Sequence, residues 1–107
     1  MKTNTVVRAL GALAQESRLA VFRLLVQKGP EGLNPGQIAA RLKMSPPTLS
    51  FHLKELAAAG LVRARPEGRY IRYCVDFKAT SALVGFLTEN CCQGQACGVS
   101  TEECAAA

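Results

Sequence analysis

Apolar residues near the start of the chain recur at helical spacing. Val6, Leu10 and Leu13 form an i, i+4, i+7 stripe, supported by Val7 and Ala14, which predicts a helix over residues 3–14. The pattern resumes at Glu16, where Leu19, Phe22, Leu25 and Val26 mark the inward side of a second helix that runs to Lys28. Gly29-Pro30 ends it, since glycine suits a left-handed cap and proline cannot continue the ladder. Asn34-Pro35-Gly36-Gln37 then opens a short helix reaching Lys43, with Asn at the N-cap, Pro at N1, Gln at N3, and Ile38 and Leu42 buried. Ser45-Pro46 repeats the device. The helix it opens keeps Leu49, Leu53 and Leu56 inward until Gly60. Two short helices joined by a tight turn, the second polar on its outer face, make a helix-turn-helix.

After Leu61 the period changes to two. Residues 61–65 and 70–75 read as strands around a four-residue loop, Pro66-Glu67-Gly68-Arg69. Ile71, Tyr73 and Val75 share one face of this wing, and Arg72 and Cys74 the other. A last helix spans Asp76 to Thr88 with Phe77, Leu83, Val84, Phe86 and Leu87 apolar. The expected fold is therefore mostly α within α+β: a winged helix-turn-helix of about five helices and a two-stranded hairpin. Residues 1–90 are expected to form the DNA-binding and dimerisation domain, and residues 91–107 a cysteine-rich tail. The apolar stripes of the first and last helices exceed what so small a core can cover, which predicts a homodimer built from both ends of the chain.

A chain of 107 residues holds one domain, and 49% apolar content argues against wholesale disorder. No apolar run is long enough to span a bilayer and no h-region follows Lys2, so the expectation is a soluble, cytoplasmic protein without a membrane partner. In that compartment thiols stay reduced, so the clustered cysteines read as metal ligands or redox groups, while Cys74, alternating with the inward wing residues, reads as a small wing thiol. The net charge of +5 suits a polyanion, and its placement is more telling: Arg63, Arg65, Arg69 and Arg72 crowd one hairpin. His52 is the single histidine, and neither a nucleophile elbow nor a phosphate-binding glycine loop is present, so no enzyme is expected.

Stepping about 100° per residue around the helix after Ser45 centres Leu49, Leu53 and Leu56 on the buried side. Pro47, Phe51 and Lys54 then point away, with Thr48 and Ser50 on the shoulders. Phe51 suits a thymine methyl in the major groove, while Lys54 and the Ser45 and Thr48 hydroxyls suit phosphate, aided by the positive helix N-terminus. His52 falls on the flank, where packing or a phosphate hydrogen bond fits better than metal ligation. The alternative is a three-helix core whose polar face is merely solvated, for which an outward Phe51 is odd. The turn, the two proline starts and the arginine hairpin together favour duplex DNA, with the wing arginines on phosphates or in the minor groove.

Glu16-Ser17-Arg18-Leu19, the run Ser45-Pro-Pro-Thr-Leu-Ser-Phe-His-Leu-Lys-Glu-Leu56, Gly60-Leu-Val62 and Glu67-Gly-Arg-Tyr-Ile-Arg-Tyr73 resemble the ArsR/SmtB family over nearly the whole chain to Asn90. The resemblance implies a homodimeric repressor that leaves operator DNA on binding metal or metalloid, with the Ser45 helix in the major groove and the hairpin beside it. Inducer sites differ within that family. A Cys-x-Cys site before the turn is missing, because Asn34 and Gly36 occupy its positions, and an Asp/His zinc site has Asp76 but no histidine.

What remains is Thr88-Glu-Asn-Cys-Cys-Gln-Gly-Gln-Ala-Cys97, which resembles arsenic-responsive members whose last helix ends in a Cys-Cys pair with a third cysteine after it. Soft trivalent arsenic or antimony selects thiolates, and the paired Cys-x-x-Cys knuckles of zinc are absent. The expected ligands are Cys91, Cys92 and Cys97, with Cys104 as the alternative third ligand; the shorter loop to Cys97 costs less to close. On a continued helix Cys91 and Cys92 would diverge by about 100°, so convergence needs fraying at Asn90 and a turn at Gly94. No resident cofactor is required, and the inducer is expected to be As(III) or Sb(III). The alternatives are a redox repressor switched by a disulfide within the tail, a response to a soft metal such as cadmium, and a metal-trafficking protein, for which the recognition helix and wing arginines have no use.

Overall fold

The structure is a computed structural model that describes residues 1–94. Five helices, α1 (Thr3–Leu13), α2 (Glu16–Lys28), α3 (Pro35–Leu42), α4 (Pro46–Ala58) and α5 (Phe77–Leu87), are joined by a largely exposed hairpin of β1 (Val62–Glu67) and β2 (Tyr70–Val75) that falls between α4 and α5 in the chain. A 3-10 turn at Cys91–Gly94 follows α5. This is a winged helix-turn-helix, with α3 and α4 as the two helices of the motif. No described helix is long and apolar enough to cross a membrane.

Capping explains most of the helix borders. Asn34 accepts the Gln37 N–H at 2.8 Å and Gln37 accepts the Asn34 N–H at 3.0 Å, a complete capping box opening α3. Lys43 then turns left-handed, with φ 52°, to release the chain toward α4. Asp76 caps α5 through the Ala79 N–H at 3.0 Å.

The core joins Val6 and Ala9 of α1, Val21, Phe22 and Leu25 of α2, Leu33, Ile38, the three leucines of α4, Leu61, Val62, Val75 and Leu83. Two helices face differently from the expected pattern. The buried side of α2 centres on Val21, Phe22 and Leu25, and it leaves Leu19 and Val26 on the rim, 40% and 38% exposed. On α1, Ala9 rather than Leu10 lies against the core, because close approach of α1 to α2 and α4 favours the smaller side chain there. Val7 and Leu10 on α1, and Phe77, Val84 and Leu87 on α5, remain exposed apolar surface.

The hairpin is longer than expected. Its antiparallel ladder runs from Val62↔Val75 to Glu67↔Tyr70, so the connection shrinks from four residues to Gly68-Arg69. Gly68 takes φ 63°, as tight primed hairpin turns require. Pro66 stays in the ladder because the outer edge of β1 is open, where a missing N–H costs nothing. Leu33 adds a bridge on the other side of β2, donating to the Tyr73 carbonyl at 3.0 Å and accepting the Tyr73 N–H at 2.8 Å. That bridge ties the wing to the loop before α3. Gly32 makes it possible: its φ is 70°, and a Cβ there would collide with the Tyr73 carbonyl oxygen.

Candidate nucleic-acid interface and thiol pair

The recognition helix α4 presents Pro47, Thr48, Ser50, Phe51 and Lys54 to solvent, opposite buried Leu49, Leu53 and Leu56, as the helical wheel requires. Ser45 departs from its expected role. Its hydroxyl donates to Thr48 Oγ1 at 2.8 Å and makes no side-chain cap. With Pro46 and Pro47 at the first two helical positions, two of the usual free N–H groups are absent, so what this end offers an anion is the two hydroxyls and the helix dipole. Thr48 and Ser45 are both exposed and adjacent, as such a contact needs.

His52, grouped with the DNA-facing residues in the sequence, turns inward and is only 5% exposed. Its Nδ1 accepts the Nε–H of Arg18 at 3.4 Å. Burial, and then the neighbouring Arg18 charge, lower its pKa, which keeps the ring neutral and Nδ1 available as an acceptor. Of the two roles the sequence left open, packing is the one the fold uses. Arg18 itself went unremarked as a site residue. Its guanidinium carbon stands 5.5 Å from the centroid of the Phe51 ring, and Nη1 donates to the Ala12 carbonyl at 3.4 Å. The available signal was a charged residue within the apolar register of α2.

The four wing arginines divide. Arg63 pairs with Asp76 at 3.2 Å. Arg65 donates to the Glu31 carbonyl at 3.2 Å. Arg72 donates to the Gly32 carbonyl at 3.3 Å and pairs with Glu67 at the same distance. Arg69, at the tip, has no partner among the described residues. Three guanidiniums thus brace the wing while keeping it basic, and the fourth extends beyond it.

At the other end of the domain α5 stops at Leu87, and Asn90, Cys92 and Gln93 all take left-handed φ between 55° and 58°. The helix has thus ended before Asn90, and the left-handed residues from Asn90 onward turn the chain away from its axis. Cys91 and Cys92 are exposed, with sulfurs 3.5 Å apart. Two thiolates sharing one ion through bonds of about 2.3 Å stand about 3.4–3.8 Å apart, so this spacing already matches a shared ligand. Cys97 and Cys104 lie outside the described residues. Among the described residues no group of three metal-binding side chains gathers. Cys74 is half-buried, its sulfur 4.0 Å from the Arg63 carbonyl, in keeping with a small wing thiol.

Comparison with known proteins bears on the first of these sites. A family model for a helix-turn-helix domain matches residues 13–65. The transcriptional activator HlyU of Vibrio cholerae is 32% identical over 84 residues, covering 78% of this chain and 75% of that protein. The solution structure of the homodimeric winged helix-turn-helix DNA-binding domain of Mb0332 from Mycobacterium bovis, described as a possible ArsR-family regulator, superposes with a TM-score of 0.64. It is 30% identical and covers 88% of this chain and 87% of that one. The chain belongs to the ArsR family of winged helix-turn-helix transcriptional regulators.

As an ArsR-family regulator it binds DNA and is not an enzyme. A Halobacterium salinarum protein provisionally named as an arsenical resistance operon repressor is 33% identical over 78 residues, covering 73% of this chain and 60% of that protein. The names of these two relatives thus differ in the direction of regulation, one an activator and the other provisionally a repressor.

Proposed function

We propose that this ArsR-family regulator is a homodimeric repressor whose operator complex is dissolved by trivalent arsenic, or antimony, bound at the end of α5. Cys91, Cys92 and Cys97 are the ligands, with Cys104 as the alternative third. The observation that carries the reading is the Cys91–Cys92 pair: exposed, on a chain already bent out of α5, with sulfurs at a shared-ligand distance. The softness of thiolates selects a thiophilic ion over oxygen-seeking cations. A relative named for arsenical resistance points the same way.

Dimerisation supplies the mechanism. The apolar surface left on α1 (Val7, Leu10) and α5 (Val84, Leu87) needs a cover, and a second copy provides a self-complementary one. The Mb0332 domain is a homodimer by description. Because α5 then helps set the separation of the two recognition helices, binding an ion across its end and the tail alters the spacing that two operator half-sites demand. A coupling of about 1–3 kcal/mol is enough to shift occupancy.

The test is arsenite titrated into a fluorescent operator complex and read by anisotropy. Wild-type protein should release the duplex, while a Cys91→Ser, Cys92→Ser protein should retain it. Release of both proteins at the same arsenite concentration refutes the reading, and release by diamide alone would favour a disulfide switch instead.

A further inference from the structure

Phe51 is 52% exposed on the face of α4 opposite its buried leucines, yet its ring is held. The Arg18 guanidinium from α2 stands 5.5 Å from the ring centroid, within cation–π range. That guanidinium is fixed in turn by His52 Nδ1 and the Ala12 carbonyl, each at 3.4 Å. The His52 ring, itself buried, lies 5.8 Å from the Phe51 ring at a tilt of 58°. Three residues on three helices, Ala12 of α1, Arg18 of α2 and His52 of α4, therefore converge on orienting one exposed aromatic side chain.

A solvated phenylalanine gains nothing from such support. A side chain that must meet a partner in one orientation does, because ordering it beforehand lowers the entropy lost on binding. A phenyl ring offers no hydrogen bond, so among the groups on the floor of the major groove it suits the C5-methyl of thymine. We propose that Arg18 is a specificity-determining residue: it clamps Phe51 from α2 and so makes that ring the reader of one thymine methyl in the operator. This rests on α4 as the DNA-reading helix and is independent of the thiol site. Arg18 acts through Phe51 and is thus a positioning residue rather than a base contact.

The experiment begins with duplexes selected by the wild-type protein from a randomised pool. Each thymine of the selected half-site is then replaced singly by uracil, which lacks only the methyl. Wild-type protein should lose roughly fourfold in affinity at one position, the value of one buried methyl. Phe51→Ala should bind the thymine and uracil duplexes equally. Arg18→Gln, with helix content checked by circular dichroism, should cut the discrimination below about twofold, and Arg18→Lys should fall between. The idea is overturned if no position distinguishes thymine from uracil, or if Phe51→Ala keeps the preference. It is overturned equally if the Arg18 variants weaken both duplexes in the same proportion, the mark of a purely structural role. Where Arg18→Gln does not fold, Arg18→Lys and Phe51→Ala decide. Selection of no duplex at all would strike the DNA-reading role of α4 itself.

Discussion

Arg63 and Asp76 lock the base of the wing onto α5: the guanidinium Nε lies 3.2 Å from Asp76 Oδ2, while Asp76 Oδ1 caps the helix through the Ala79 N–H. The Arg63 side chain is 74% exposed, so the ion pair contributes at most about 1 kcal/mol. The cap contributes about 1 kcal/mol. Asp76→Ala should therefore destabilise the protein by about 1–2 kcal/mol, and Asp76→Asn, which keeps a cap acceptor, by less than about 1. Urea unfolding at one fixed protein concentration measures both.

Gly32 and Gly68 both have positive φ, but only Gly32 faces a neighbour, the Tyr73 carbonyl. Gly68→Ala should cost about 1–2 kcal/mol, the conformational term alone. Gly32→Ala should cost more, because the collision also breaks the Leu33–Tyr73 bridge that holds the wing to the α2–α3 loop. Parallel melts of the two variants check the order, and equal losses would show the bridge to be incidental.

Arg69 and Arg72 separate the two jobs of the wing arginines. Arg69→Ala should leave stability unchanged and lower the slope of log affinity against log salt by about 1, as loss of one phosphate contact does. Arg72→Ala should lower stability as well, since it removes the hold on the Gly32 carbonyl and on Glu67. Anisotropy titrations at several salt concentrations, with denaturation alongside, distinguish them.

His52 gives the fold an acid sensitivity of known sign. Its native pKa lies below the ordinary value of about 6.5, so the unfolded chain takes up the proton first. The stability due to neutral His52 is fully present above that ordinary value and is lost as pH falls through the native one. Protonation also removes the acceptor of Arg18. The drop in urea midpoint between about pH 7.5 and about pH 5.5 should be smaller in His52→Gln than in wild type.

Much of this was legible in the sequence because it is local. Asn34 with Gln37, Gly29-Pro30 and the three leucines of α4 announce their roles within a few residues of themselves, and the structure bears them out. What escaped is relational. Nothing near Leu33 announces that it bridges Tyr73, forty residues on, and ties the wing to the loop before α3. On α2, Leu19 and Val26 are as apolar as Val21, and only packing against α4 and β2 chooses between them. His52 lay on the margin of the wheel, and it took Arg18 of another helix to draw it inside. At the thiol site the end of α5 near Thr88 matches the expected border, while Cys97 and Cys104 lie outside the described residues.

The central claim is that Cys91 and Cys92 share one trivalent ion with a third tail thiol. X-ray absorption at the arsenic edge, on wild-type protein loaded with one equivalent of arsenite, counts the sulfur atoms around the metalloid directly. The account predicts three sulfur neighbours, an undiminished count in Cys104→Ser, a reduced one in Cys97→Ser, and loss of the site in the Cys91→Ser, Cys92→Ser protein. Three sulfur neighbours retained in that double variant would contradict it.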